Sequence, residues 1–477
     1  MKILFIVDLG THLGIKPPGI MYLSSSLKRG GHEVRVVDIS NSNLDRCVLD
    51  YSPHFLAYST WSGSDEEFLK INNHLKGILN NNVTSIFGGP HPTFFPDFIN
   101  EEGVDIICRG EGEEAFVELA DRVQKGDSYN DIKNLWVKQN STVIKNDCRP
   151  LKDNLDEIPL PDRQPFDEIP GAMHYIEYVI NTRGCPFNCS YCFNHQIKDV
   201  YGLKQIKVRR RSVDNVISEL IGIKKRNNTV QYIQFMEDIF PFEKDWVNEF
   251  KIKYLKEINL PFLIHCRANL VKEENIKLLK EAGCQVVNMA VESGTDHVRN
   301  DIFKRGMSRE ALLGAAQIIK KYDLFLQTTN IIGNPVEDSF TDACETIKLN
   351  IEMKTDFGIG SLLNPYYGTA IWDYCLQKGY INKDVKFPLT YFLDTPLKLK
   401  DKAKILRICE LFPIMISFPI LFRFRNVLSN MPLRPVYGLL RKLWKGYIYY
   451  RHFYKIRFST RDVLNLSFRY LTGKGNV

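Results

Sequence analysis

Short apolar runs alternate with stretches of helical periodicity through the first 125 residues. KILFIVDL, EVRVVDI, HFLAYST, SIFGGP and DIICRG predict strands. Between them GIMYLSSSLKRGG, DEEFLKINNHLKGIL and EEAFVELADRVQ carry apolar residues at helical spacing. Alternating elements of this length predict a parallel sheet with right-handed crossovers. A second series starts near Tyr175: YIEYVINTRG, VQYIQFMED, PFLIHCRA, QVVNMAVESG, LFLQTTNIIG and GIGSLLNPYYG read as strands. SVDNVISELIGIKKR, KEENIKLLKEAG and SREALLGAAQIIKKY are among the helical stretches between them. Six βα units predict a partial (β/α)6 barrel with its active site at the carboxyl ends of the strands. Residues 126–170 read as a connector, with a small hairpin at LWVKQNSTVIKN and a proline-broken acidic stretch, IPLPDRQPFDEIP. The expected organisation is α/β: a Rossmann-like domain at 1–125, a linker at 126–170, the barrel at 171–385, and a mainly helical extension at 386–477.

The predicted strand ends of the first domain are rich in small residues. They read Asp8-Leu9-Gly10, Ser59-Thr60-Trp61-Ser62-Gly63, Gly88-Gly89-Pro90-His91 and Arg109-Gly110-Glu111-Gly112-Glu113. Ligands of open α/β sheets bind beyond these ends, and glycine lets a backbone come close to them. Tight βα turns explain any one of the loops; four on one rim point to a cofactor.

Composition narrows the class. The 477 residues are 44% hydrophobic and 25% charged, as in a folded protein. Eleven cysteines would suit a disulfide framework only in a short secreted chain. The start MKILFIVDLG reads as a buried strand, not a signal. A reducing cytoplasm with one thiolate metal site is the expectation. Residues 401–477 hold 15 Lys and Arg against 3 Asp and Glu, a net +12 that leaves −5 for the rest. There LFPIMISFPILF is too short to span a bilayer and is followed by the basic, aromatic RKLWKGYIYYRHFYKIRF. One reading is a helical cap with its aromatics packed inward. The other is an edge that touches anionic lipid or a hydrophobic substrate, which places the chain in the cytoplasm or peripherally at a membrane. The tail's aromatics lie in a dense apolar context, unlike a nucleic-acid stacking platform, so no nucleic-acid partner is expected.

The sharpest motif is Thr182-Arg183-Gly184-Cys185-Pro186-Phe187-Asn188-Cys189-Ser190-Tyr191-Cys192. Three cysteines spaced C-x3-C-x2-C can wrap one loop around an iron–sulfur cubane. The loop has no fourth cysteine, which leaves one iron open and therefore reactive. A structural zinc site pairs two close cysteines with a second pair, and no second pair is present.

This motif, with Tyr191 as the aromatic before the last cysteine, resembles the radical S-adenosylmethionine (SAM) signature, over roughly residues 171–385. The resemblance implies a [4Fe–4S] cluster on Cys185, Cys189 and Cys192. It also implies SAM on the open iron and cleavage to a 5′-deoxyadenosyl radical. Phe235-Met236-Glu237-Asp238 and Val291-Glu292-Ser293-Gly294 resemble strand ends of the family that offer carboxylates. Arg305 resembles the arginine that pairs with the SAM carboxylate. Asn330-Ile331-Ile332-Gly333-Asn334-Pro335 resembles the adenine-side motif, with Asn334 where glycine is common. Tyr191, Glu237, Asp238, Glu292, Ser293 and Arg305 are thus the expected SAM residues.

Residues 1–125 resemble the cobalamin-binding domain of one radical SAM class, through Pro17-Pro18-Gly19-Ile20-Met21-Tyr22-Leu23, Gly31-His32-Glu33-Val34, Gly88-Gly89-Pro90-His91-Pro92-Thr93 and Gly110-Glu111-Gly112-Glu113. Ser59, Thr60, Gly63, Gly88, Gly89, His91, Gly110 and Gly112 are the implied cobalamin contacts. The D-x-H-x-x-G signature of a histidine-ligated cobalt is absent, so His12 and His91 are not expected as cobalt ligands. The leading expectation is cobalamin-dependent methylation of an unactivated carbon in a small-molecule or lipid-like substrate. Reducing equivalents would come from a donor such as flavodoxin or ferredoxin. The alternatives are a non-methylating radical cyclase or rearrangement enzyme, and an iron–sulfur electron carrier or redox sensor.

Overall fold

A computed structural model describes residues 1–9, 15–140, 142–167, 169, 175–388 and 390–454. In the first unit β1 (Lys2–Val7), β2 (Glu33–Asp38), β3 (Phe55–Ser59), β4 (Thr84–Gly88) and β5 (Ile106–Cys108) pair in parallel, in the order β2-β1-β3-β4-β5. Alternate residues of β1 feed two cores. Ile3, Phe5 and Val7 pack with Ile20, Leu27 and Phe116, from the helices Pro18–Arg29 and Glu113–Lys125. Leu4 and Ile6 pack with Val48, Phe68 and Leu75, from the helices Leu44–Tyr51 and Asp65–Ile78. Burial on both faces is why these strands read as unbroken apolar runs. The strand order reverses between β1 and β3, which opens a crevice at their carboxyl ends. The loop after β1, with Gly10 and His12, lies outside the described residues.

The hairpin expected in a separate linker belongs to this sheet. β6 (Leu135–Gln139) pairs antiparallel with β5, and β7 (Thr142–Lys145) with β6. Without it β5 would present an open edge of unpaired backbone groups. Arg109 and Lys145 lie over the Trp136 ring at 4.9 and 4.6 Å. The first unit therefore extends from Met1 to Met173 and takes in Gln196–Arg209.

The second unit contains β8 (Ile176–Val179), β9 (Tyr232–Phe235), β10 (Phe262–Cys266), β11 (Cys284–Glu292), β12 (Phe325–Ile332) and β13 (Phe357–Leu362). Each pairs in parallel with its predecessor, as a six-stranded open barrel requires. Ile233, Phe235, Ile264, Val287, Met289 and Leu326 point outward into one core. The helices Val213–Arg226, Lys244–Glu257, Glu273–Glu281 and Arg309–Lys321 cover it. Strand alternation turns Gln234, His265, Asn288 and Gln327 to the inside.

The extension as far as Tyr454 caps the barrel at two places, and residues 455–477 lie outside the described residues. The helix Lys402–Ser417 lies on the outer flank of β13. Gly360 makes room there, since a Cβ on it would meet Phe412 Cγ at 3.1 Å. The helix Arg434–Ile448 runs into the turn Tyr449–Phe453, which closes the amino ends of the strands. Rings of Tyr454, Phe453 and Tyr449 stand 5.2, 5.9 and 5.6 Å from those of Tyr232, Phe325 and Phe357. Gln327 Nε2 donates to the Tyr449 hydroxyl at 3.1 Å, so the plug is hydrogen-bonded as well as packed. The carboxyl mouth is left for chemistry.

Candidate functional site

Gly184, at φ +94°, turns the chain after Thr182–Arg183 into the cysteine loop. Ser190 fixes that loop: its N–H donates to the Phe303 carbonyl at 3.0 Å, its hydroxyl to the Ile302 carbonyl at 2.7 Å, and its own carbonyl accepts from Ile371 N at 2.9 Å. Cys189 is buried, and Cys185 and Cys192 are partly open. Burial pushes the Cys185 thiol up to about 11 and the Cys192 thiol up to about 12, and the nearby Asp238 and Cys189 add to both shifts. Thiols held protonated by burial, as Cys185 and Cys192 are, suit a cationic partner, which reverses that penalty. Each thiolate of a cubane takes a different iron, so the sulfurs need not meet at one point. Among the described residues no three His, Cys, Asp or Glu side chains do.

Beside the loop stands a buried polar set. Tyr191 donates to Glu292 Oε1 at 3.1 Å. Arg305 Nη1 donates to the Tyr191 hydroxyl and lies 3.4 Å from Glu292 Oε1, and its Nη2 donates to the Ala290 carbonyl at 2.7 Å. Arg305 Nε is buried with no hydrogen-bond partner, which is costly unless a ligand supplies an acceptor. Glu292 sits at φ +70°, where the β11–β12 register slips. A glutamate held in that strained region is the kind of outlier that marks a ligand site. Burial raises its carboxyl above the usual range, opposed by Arg305 and Tyr191.

Arg267, at the carboxyl end of β10, links the two groups. It donates to Cys189 Sγ and to the Arg305 carbonyl, and its guanidinium lies 3.6 Å from the Phe187 ring centre. Its place directly after IHC, at a strand end, is the signal in the sequence that could have singled it out.

Two of the expected SAM residues are engaged in the wall. Ser293 is fully buried, and its hydroxyl donates to Asp342 Oδ1 at 2.9 Å. Asp342 also accepts from Thr295 at 2.6 Å and Asn334 at 2.6 Å, so Asn334 completes the same carboxylate knot. Glu237 accepts from Asn181 N at 3.3 Å and Nδ2 at 3.2 Å, and burial pushes it up to about 8. Asp238, also raised by burial, lies close enough to Cys185 and Cys192 to perturb both. Inside the barrel Asn288 Nδ2 and His265 Nδ1 lie 3.2 Å apart, while Asn288 Oδ1 and His265 Nε2 are unpaired. Burial lowers His265 to about 4, so it is neutral at neutral pH.

In the first unit the strand-end loops knit together. A Cβ on Gly89, at φ +91°, would fall 2.8 Å from the Thr60 carbonyl and 3.0 Å from Ser59 Oγ. Thr60 N and Oγ1 both donate to the Gly88 carbonyl, at 2.9 and 3.3 Å. Gly63 N donates to Asp65 Oδ1 at 2.7 Å, which shapes the turn after β3. His91 shapes its own loop: Nδ1 lies 3.0 Å from Ser62 Oγ, and the ring contacts Phe95 and Phe98 at 4.9 and 5.0 Å. Gly112 leaves space for Cys108 Sγ, 3.1 Å from where its Cβ would be. Gly110 admits a protein side chain, since a Cβ there would lie 2.7 Å from Tyr201 Cζ. Tyr201 accepts from Glu111 N at 2.7 Å, and Arg209 grips Glu111 at 2.6 and 3.1 Å. Neither partner was legible from the sequence, which gives no reason to bring 196–209 back to β5. Small residues at the ends of β3 and β4 thus form a rim, and its described histidine, His91, is held against Ser62, Phe95 and Phe98, which fits a flat corrin.

Comparison with known proteins agrees. Residues 179–347 match the model of the radical SAM superfamily, and residues 12–120 that of the B12 binding domain. An uncharacterized methyltransferase from Pyrococcus horikoshii is 30% identical over 375 residues, covering 76% of this chain and 79% of that protein. Cytidylyl-2-hydroxyethylphosphonate methyltransferase from Streptomyces wedmorensis is 20% identical over 441 residues, covering 79% of this chain and 80% of its own. The cobalamin-dependent radical SAM enzyme OxsB, solved with aqua-cobalamin and SAM bound, aligns with TM-score 0.71 at 16% identity, covering 98% of this chain and 78% of that one. A three-cysteine loop beside a buried arginine–glutamate pair, in a chain whose preceding residues match a B12 binding domain, places it in the family of cobalamin-dependent radical SAM methyltransferases, whose cofactors are a [4Fe–4S] cluster, SAM and cobalamin.

Proposed function

We propose that this enzyme methylates an unactivated carbon of a small-molecule or lipid-like substrate, with electrons delivered by a flavodoxin or ferredoxin. The observation that carries the reading is Arg305, a buried guanidinium with an unsatisfied Nε beside the cysteine loop. An electron carrier needs no such amino-acid pocket. When bound, the cofactors supply a 5′-deoxyadenosyl radical and a methyl group.

Cys185, Cys189 and Cys192 would hold the cluster. Arg305 Nε would donate to the SAM carboxylate, and Glu292, kept in place by Tyr191, would accept from the ribose hydroxyls. Asp238, near enough to Cys185 and Cys192 to act on both, would take the SAM amino group. Ser293 and Glu237 would act indirectly, by fixing the wall through Asp342 and Asn181. Ser59, Thr60, Gly63, Gly88, Gly89, His91, Gly110 and Gly112 would frame the corrin, with His91 held in its own loop. His265 and Asn288 offer a donor and an acceptor inside the barrel for a polar group of the substrate.

The test is anaerobic purification and reconstitution, with iron, sulfide and corrinoid quantified and the substrate product weighed by mass spectrometry. Iron, bound corrinoid and a product heavier by one methylene are expected. Iron without corrinoid after reconstitution defeats methyl transfer, and an unmethylated product points to a radical rearrangement instead.

A further inference from the structure

The helix Arg434–Ile448 is mounted inside out. Val436, Leu439, Leu440, Leu443 and Tyr447 recur at spacings of three or four and are about half exposed. Its charges turn the other way. Arg434 and Arg441 reach Glu410 at 3.7 and 3.0 Å, and Lys445 lies over the Tyr449 ring at 5.3 Å. Ile420, Phe424 and Val427, on the preceding turns, extend the exposed apolar surface, each more than half exposed. A contiguous apolar stripe of this kind on a folded protein marks a contact surface.

Charge decides what covers it. Residues 418–454 contain seven Arg and Lys and no Asp or Glu. Arg423 and Arg451 are exposed beside the stripe. Glu410, the acid that pairs with this helix, is buried and already engaged by Arg434 and Arg441. A second copy would bring the same positive charge to the face. Among the described residues no helix is long and apolar enough to cross a membrane.

We propose that this face lies on an anionic lipid bilayer, with the leucines in the acyl boundary and Arg423 and Arg451 among the headgroups. The contact is monotopic and reversible, and it weakens with salt. It depends on the surface alone and not on methyl transfer, so vesicle binding by the non-reacting holoenzyme and product formation can fail separately.

The test is flotation of the reconstituted, full-length holoenzyme with vesicles of phosphatidylcholine alone or mixed with phosphatidylglycerol. Binding to the anionic vesicles is expected at least tenfold above the neutral ones. L439D/L443D should lower it at least tenfold while leaving the unfolding temperature unchanged, because both positions are exposed. Brominated acyl chains should quench Trp444, which lies 5.4 Å from the Tyr447 ring, and W444F should remove that component. Three results overturn the proposal: no binding by the wild type, binding that L439D/L443D keeps, or a dimer in sedimentation that the double variant dissociates.

Discussion

Arg267 donates through Nη1 to the Cys189 sulfur at 3.1 Å and through Nη2 to the Arg305 carbonyl at 2.6 Å. One guanidinium thus joins the cysteine loop to the segment that carries Arg305, the arginine proposed for the SAM carboxylate. Hydrogen bonds and positive charge at a cluster sulfur raise its reduction potential. R267Q is expected to keep its iron but to lower the midpoint by tens of millivolts, as an order of magnitude. R267K, which keeps the charge but loses the fork, should fall between. Redox titration followed by electron paramagnetic resonance reads both, and an unchanged midpoint in R267Q removes this role.

Arg305 and Glu292 predict a binding defect separate from cluster loss. Truncating a buried charged hydrogen bond costs roughly 1.5–3 kcal/mol. R305M should therefore weaken SAM binding by about ten- to a hundredfold with iron content intact. Y191F, which leaves Glu292 and Arg305 but removes the hydroxyl between them, should do less. Calorimetric titration of the anaerobic protein with SAM measures both.

Glu237 gives a pH signature. Its carboxyl ionises near 4.5 in the unfolded chain and near 8 in the buried site. Between these values the folded state holds a proton that the unfolded state has released. Stability therefore falls as pH rises from about 4.5 towards 8 and levels off above it. E237Q keeps an acceptor for Asn181 and removes the ionisation. Its advantage over wild type should grow across that window, up to a limit of roughly 5 kcal/mol. Thermal unfolding at pH 5, 7 and 9 checks the trend; a difference independent of pH contradicts it.

Gly294 and Gly314 predict opposite responses to alanine. A Cβ on Gly294 would come within 2.5 Å of Thr346 N, on the neighbouring helix Ser339–Glu352. G294A should cost about 3 kcal/mol through overpacking. Gly314, inside the helix Arg309–Lys321, has nothing within 4 Å of its Cβ position. G314A should stabilise by roughly 0.5–1 kcal/mol. Denaturant unfolding measures both.

The strands and the cysteine loop were legible because each follows a local rule: an apolar run between turns, or three thiols within eight residues. Side-chain commitments were not. Ser293 and Asn334 have the right type for a ligand site, yet Asp342, some fifty residues beyond Ser293, takes both. Gly110 looked open to a cofactor until Tyr201 filled the space. The hairpin Leu135–Lys145 read as a linker because nothing local tells which edge a strand will pair with. The outward stripe of Arg434–Ile448 has the same periodicity as a packed helix, and only its surroundings show which way it faces.

The account depends on one iron left open by three cysteines and reached by SAM. The most direct measurement is the electron paramagnetic resonance spectrum of the reduced, reconstituted protein before and after SAM is added. The spectrum should change shape on addition, and C185A, C189A and C192A should each lose it. A reduced-cluster signal that ignores SAM, or that survives the loss of those cysteines, contradicts the assignment.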